Sequence, residues 1–141
     1  MSEELRKIAA TAYNRAFELV IEGDESDALE GLELAAASLH IWRTLGPDKR
    51  VAIGLWMYSR ALLKAGSQDL AIDAALESVR LAESEGIDWM LGSSLEALTR
   101  AHQGRPEFEA IRARASSAID SIQDDKEREL ISGQFADLRN S

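Results

Sequence analysis

Apolar residues along this chain recur at three- and four-residue steps, and a glycine interrupts the recurrence about every twenty residues. Leu5, Ile8, Ala12, Ala16 and Leu19 share one face of a helix predicted over Ser2 to Glu22. Gly23 stops it, and Asp24 or Ser26 is placed to cap a second helix reaching about Leu45, with Leu32, Ala35, Leu39 and Trp42 in its stripe. Gly46-Pro47-Asp48 combines a stop, a residue that cannot continue the helix, and a cap. A third helix, about 49–65, turns Leu55, Ser59 and Leu62 inward, and a fourth, about 68–85, uses Ala71, Ala75 and Val79. Gly86-Ile87-Asp88 opens a fifth (88–102; Leu91, Leu95, Leu98), and Gly104-Arg105-Pro106 a sixth (107–122; Phe108, Ile111, Ile119). Asp124 or Asp125 caps a seventh, whose Leu130, Ile131, Phe135 and Leu138 oppose a charged face.

Glycine is the usual residue just past a helix C-terminus, because it takes the left-handed conformation without a Cβ penalty. Stops at Gly23, Gly46, Gly66, Gly86 and Gly104 therefore predict antiparallel αα-hairpins repeating at roughly forty residues. The expected fold is all-α, a solenoid of about three repeats (2–45, 48–85 and 88–122) closed by a capping helix over 125–139, in a single domain 1–141. The polar-backed seventh helix suits a terminal position, since nothing stacks beyond it. Gly54 and Gly92 lie inside predicted helices, where glycine costs about 1 kcal/mol against alanine. Their matched placement predicts close backbone approach between neighbouring hairpins or to a bound peptide.

Composition narrows the function. The chain has 16 basic and 25 acidic residues, a net charge of −9. A phosphate backbone would be repelled on average, so no nucleic-acid partner is expected. No apolar run of membrane-spanning length occurs, and the acid-led N-terminus has no apolar signal core; no membrane partner and a cytoplasmic location are the expectation. Zero cysteines exclude disulfides, thiolate metal sites and a cysteine nucleophile. His40 and His102 fall on different helices without metal-ligand spacing, and His40 beside Leu39 and Ile41 is expected to be packed or half-buried. No glycine-rich phosphate loop occurs, and Ser93-Ser94 and Ser116-Ser117 have no base nearby in sequence. No catalytic residues, metal or cofactor are expected, and the chain is not expected to be an enzyme.

The second helices of the three hairpins recur as Ala28…Leu32…Ala35, Ala71…Ala75…Ser78 and Ala110…Arg114…Ser117, and the first helices carry Ala16, Ser59 and Ala97. Small residues at these steps let helices approach closely. With the run Ala61-Leu62-Leu63-Lys64-Ala65-Gly66-Ser67-Gln68-Asp69-Leu70-Ala71, repeated as Gly23…Ala28 and, one residue longer, as Gly104…Ala110, the chain resembles the tetratricopeptide repeat. The likeness is to the longer-period variety of kinesin light chains and bacterial transcription regulators. The family's proline at the end of the second helix is missing; Pro47 alone sits near such a place.

That resemblance implies a right-handed superhelix and protein or peptide binding in a concave groove lined by the first helices. Tyr13, Phe17, Trp56, Arg60, Lys64, Leu98 and His102 are the candidate groove residues. Aromatic and arginine side chains dominate interface energetics, and the same aromatics also serve as ordinary core. Arg6, Lys7, Arg15, Arg60, Lys64 and Arg100 lie on first helices, and Val51 to Ala65 holds no acid, whereas the second helices are acidic. Acids at helix starts and on solvated faces explain part of this. The remainder points to an acidic peptide or a free C-terminal carboxylate as ligand.

The leading expectation is a non-catalytic adaptor or scaffold for a protein partner. One alternative is a self-associating structural homo-dimer, through apolar residues of the terminal helices such as Leu5, Ile8, Phe135 and Leu138. Another is a peptide-sensing module of a bacterial regulatory system.

Overall fold

A computed structural model describes residues 2–140. Seven α-helices and no strand occur among the described residues: α1 (Ser2–Phe17), α2 (Ala28–Leu45), α3 (Asp48–Lys64), α4 (Gln68–Glu85), α5 (Asp88–Ala101), α6 (Phe108–Asp120) and α7 (Asp125–Arg139). All seven predicted helices form. Each packs against its successor, and α3 also packs on α1 and α5, and α7 on α5. The odd-numbered helices thus make one contiguous layer.

Gly46, Gly66, Gly86 and Gly104 have φ of 65°, 89°, 67° and 82°, the left-handed stops the sequence implied. Gly23 differs: its φ is −84°. Glycine is needed there for space, because a Cβ would lie 2.5 Å from the Leu19 carbonyl oxygen and 2.3 Å from the Asp27 carboxylate. The end of the first predicted helix is also not α. Glu18–Glu22 winds as a π-helix, and the Lys64 ammonium donates to the carbonyls of Leu19 (2.8 Å), Val20 (3.2 Å) and Gly23 (2.9 Å). A cation from α3 therefore holds the carbonyl-rich end of α1, where the helix dipole favours it.

Capping is mixed. Asp24 accepts from the Ser26 amide and Asp124 from the Glu127 amide, as expected. Ser67 makes no side-chain cap, and Asp88 accepts instead from the Gln123 amide at 2.8 Å, tying the start of α5 to the loop before α7.

Buried hydroxyls join the helices laterally. Ser38 on α2 donates to the Ala9 carbonyl on α1 at 2.8 Å, and Ser78 on α4 donates to the Ala52 carbonyl on α3 at 2.8 Å. Ser59 on α3 returns the bond to Ala71 on α4 at 2.7 Å. Only a small residue lets the backbones come close enough for such bonds. Gly54 belongs to the same pattern, since a Cβ there would sit 3.2 Å from Leu39. At Gly92 it would meet Ile122 at 3.1 Å and Ile119 at 3.3 Å. Close approach is therefore between helices of this chain. The main apolar interior runs from Ala16 and Val20 through Met57 and Leu95 to Ile119, Phe135 and Leu138. Phe135 and Leu138 are both 0% exposed, so α7 gives them to its own chain and they are not available to a second copy.

Candidate functional site

The odd helices place a row of half-buried apolar side chains over three linked hollows. The central cleft, of about 140 Å³, has Ala52, Trp56 and Met90 of α3 and α5 beneath it. Tyr13 and Phe17 of α1 form one side, and Leu130, Ile131 and Gln134 of α7 the other. It shares Tyr13 and Ile53 with a hollow of about 160 Å³ reaching Asn14, Trp42 and Arg50. In the other direction it shares Trp89, Leu130 and Ile131 with a shallow hollow ending at Glu127. The three adjoin one another in a row across α1, α3, α5 and α7, which together make an apolar trough with Tyr13 and Ile53 between the first pair and Trp89, Leu130 and Ile131 between the second.

The two ends of the trough carry opposite charge. At one, the Arg50 guanidinium lies 5.4 Å from the centroid of the Trp42 ring and has no carboxylate partner among the described residues. At the other, Glu127 has its carboxyl raised above the usual range by partial desolvation and by its neighbours Asp124 and Asp88. Burial pushes the Tyr13 phenol, midway, up to about 12, against the attraction of Arg50.

Of the seven sequence candidates, Tyr13, Phe17 and Trp56 come together in the central cleft. The Phe17 and Trp56 rings lie 6.5 Å apart at 30°. The other four lie elsewhere. Leu98 is 3% exposed and belongs to the interior. His102 is 8% exposed, with Nδ1 held 2.8 Å from the Leu98 carbonyl. Lys64 spends its ammonium on the end of α1, as described. Arg60 faces inward onto a carboxylate that sequence reasoning missed.

That carboxylate is Glu96, 0% exposed on α5. It accepts from Trp56 Nε1 at 2.9 Å, from Arg60 Nη1 at 3.3 Å and from Arg100 Nε at 2.6 Å. Arg100 extends the chain of contacts, donating to Asp137 at 2.7 and 3.0 Å and to the Gln134 carbonyl at 3.0 Å. Burial pulls the Arg60 guanidinium below its usual value, with Glu96 opposing. At Arg100 burial acts the same way, but hydrogen bonds and charge from Asp137 and Glu96 outweigh it and raise the group. The cations expected to reach a ligand are therefore compensated within the chain, and their work is to fix Trp56 beneath the trough and α7 beside it. A signal existed: Glu96 is an acid between small and apolar neighbours, on the face of Gly92 and Thr99, with an arginine four residues on.

Trp89, Leu130 and Gln134 were also missed. Leu130 is 63% exposed, an apolar side chain on a helix whose stripe would place it in the core. Gln134 has the one buried side-chain polar atom without a hydrogen-bond partner among the described residues, its amide oxygen. His40 is exposed rather than packed, at odds with its apolar neighbours in sequence. Among the described residues no group of three or more His, Cys, Asp or Glu could hold a metal, and no helix is long and apolar enough to cross a membrane. Comparison of the chain with protein-family models, with curated proteins and with solved structures returns no match.

Proposed function

We propose that this chain is a short stack of αα-hairpins of the tetratricopeptide type that binds a protein segment, without catalysis, along the trough over its odd helices. The observation that carries the reading is the row of adjoining hollows, whose rim keeps Tyr13, Phe17, Trp89 and Leu130 partly in water at the cost of hydrophobic stabilisation. Two features favour stacked hairpins over an irregular bundle. Each odd helix packs on the next odd one, and the serine-to-carbonyl bond of Ser38 recurs at Ser78, about forty residues on.

The ligand is an extended or helical segment with an apolar centre. Arg50 favours an acidic side chain or terminal carboxylate at one end, and Glu127 a basic group at the other. Selection from a displayed random-peptide library tests this. Enriched peptides should share an apolar or aromatic anchor flanked by an acid, and Leu130→Arg should weaken their binding at least about tenfold. No enrichment, or peptides indifferent to Leu130→Arg, would sink the reading.

A second reading, the homo-dimer, is favoured by a separate surface. Leu5, Ile8 and Leu29 are 37%, 55% and 69% exposed, and an apolar hollow of about 420 Å³ lies between Ile8, Thr11 and Ala12 of α1 and Leu34 of α2. Sedimentation equilibrium decides it: a dimer at micromolar concentration that Ile8→Glu dissociates supports this surface, and a monomer throughout removes it.

A further inference from the structure

We propose that the hollow at the Arg50 end of the trough binds one carboxylate on a short apolar stem, through the Arg50 guanidinium, the Asn14 amide and the Tyr13 hydroxyl. This names the group read at that end, and only the source of the carboxylate rests on the peptide-binding reading above.

Charge singles out this place. Beyond α1, every arginine except Arg50 has a carboxylate within 4.0 Å among the described residues. Arg50 is exposed and rests instead against the Trp42 ring, 5.4 Å from its centroid. A ring face attracts the cation but does not replace a carboxylate, so the guanidinium keeps donors to offer. No acid lines the hollow, in a chain whose net charge is −9.

Reach and shape agree with the charge. Arg50 and Trp42 both line the hollow, so the guanidinium stands at its wall. Tyr13 and Asn14 line it from α1, and neither side chain hydrogen-bonds to any described residue. The Tyr13 hydroxyl is not sealed from solvent, since the one wholly shielded side-chain polar atom without a partner is on Gln134. Arg50 is also the charge that bears on that phenol, so hydroxyl and guanidinium lie near each other. A carboxylate has two oxygens and about four acceptor sites, enough for a guanidinium fork, an amide N–H and a phenol O–H together. The remaining walls are Ala10, Ile53 and the Trp42 ring, which suit a short aliphatic stem. The hollow measures about 160 Å³, close to the roughly 150 Å³ of a cavity that holds benzene, so a short stem fits beside the carboxylate.

The test starts from the wild-type chain, so it does not depend on a variant folding. Butyrate and its uncharged analogue butyramide are titrated at constant ionic strength and followed by two-dimensional NMR. We expect saturable shifts at the Trp42 indole and Asn14 amide signals, with butyrate about tenfold tighter than butyramide. Arg50→Gln should bring butyrate down to the level of butyramide, and Tyr13→Phe should weaken it about threefold. Equal binding of the two probes to the wild type overturns the proposal. So does a preference for butyrate that survives Arg50→Gln, or shifts that do not saturate. Two further probes separate the sources: N-acetylglutamate α-amide carries its carboxylate as an acidic side chain does, and N-acetylnorvaline as a chain terminus does. The tighter of them names the source, and butyrate binding with neither names a free short-chain acid. Butyrate binding with no enriched peptide would keep this site and remove the adaptor. Enriched peptides indifferent to Arg50→Gln, with no butyrate binding, would do the reverse.

Discussion

Glu96 is the residue on which the site most depends. Its carboxylate is buried with Arg60 and Arg100, whose side chains are 17% and 14% exposed. Removing one partner of a buried pair leaves uncompensated charge, typically about 3–5 kcal/mol of destabilisation. Glu96→Ala is therefore expected to lose that much in urea unfolding. Glu96→Gln keeps the shape and one acceptor and should lose less. A loss under about 1 kcal/mol for the alanine variant would mean the two arginines find other partners.

Tyr13 makes a pH prediction. Its folded pKa, about 12, lies above the usual 10 of an unfolded tyrosine. Below pH 10 both states are protonated and the residue adds no slope. Between 10 and 12 the unfolded state loses its proton while the folded state retains it, so stability falls as pH rises. Tyr13→Phe should flatten that window in thermal melts. An unchanged slope would place the phenol in water.

Glycines give the sharpest contrast among the elements. Gly92 faces Ile119 and Ile122 so closely that a methyl group there would already crowd them, and Gly92→Leu should cost about 1–3 kcal/mol as overpacking. At Gly133, inside α7, a Cβ would meet nothing within 4 Å, so Gly133→Ala should stabilise by about 1 kcal/mol through helix propensity alone. Denaturant midpoints for the two variants should move in opposite directions. The same scale holds the π-turn at Glu18–Glu22. Its carbonyls depend on Lys64, and Lys64→Met should raise hydrogen-exchange rates there before it affects α4 or α5.

Across the whole molecule, the layer of odd helices carries an apolar trough and, further along the same helix faces, a polar seam. Arg60–Glu96 ties α3 to α5, and Arg100–Asp137 ties α5 to α7. The spacing of α7 from α1, and hence the width of the cleft between Gln134 and Tyr13, follows from these contacts. Loosening the seam should therefore change peptide affinity even though neither arginine lines the cleft. Arg100→Met is expected to weaken binding of the library-selected peptides several-fold, measured by tryptophan fluorescence titration.

Element by element, much of this was legible in the chain. Helix existence and number followed from apolar spacing, and four of the five glycine stops from left-handed geometry, because both are local: a few neighbouring residues decide them. Tyr13, Phe17 and Trp56, expected together from their places on first helices, line one cleft. The fate of the cations was not. Nothing near Lys64 in sequence points to the carbonyls of α1, and nothing near Arg60 points to Glu96, because those partners lie about forty residues away and are set by how the helices stack. The exposure of Leu130 and the unpaired amide of Gln134 have the same origin. Periodicity tells which side of a helix is apolar; only the packed arrangement decides which part of that side is covered, and by what.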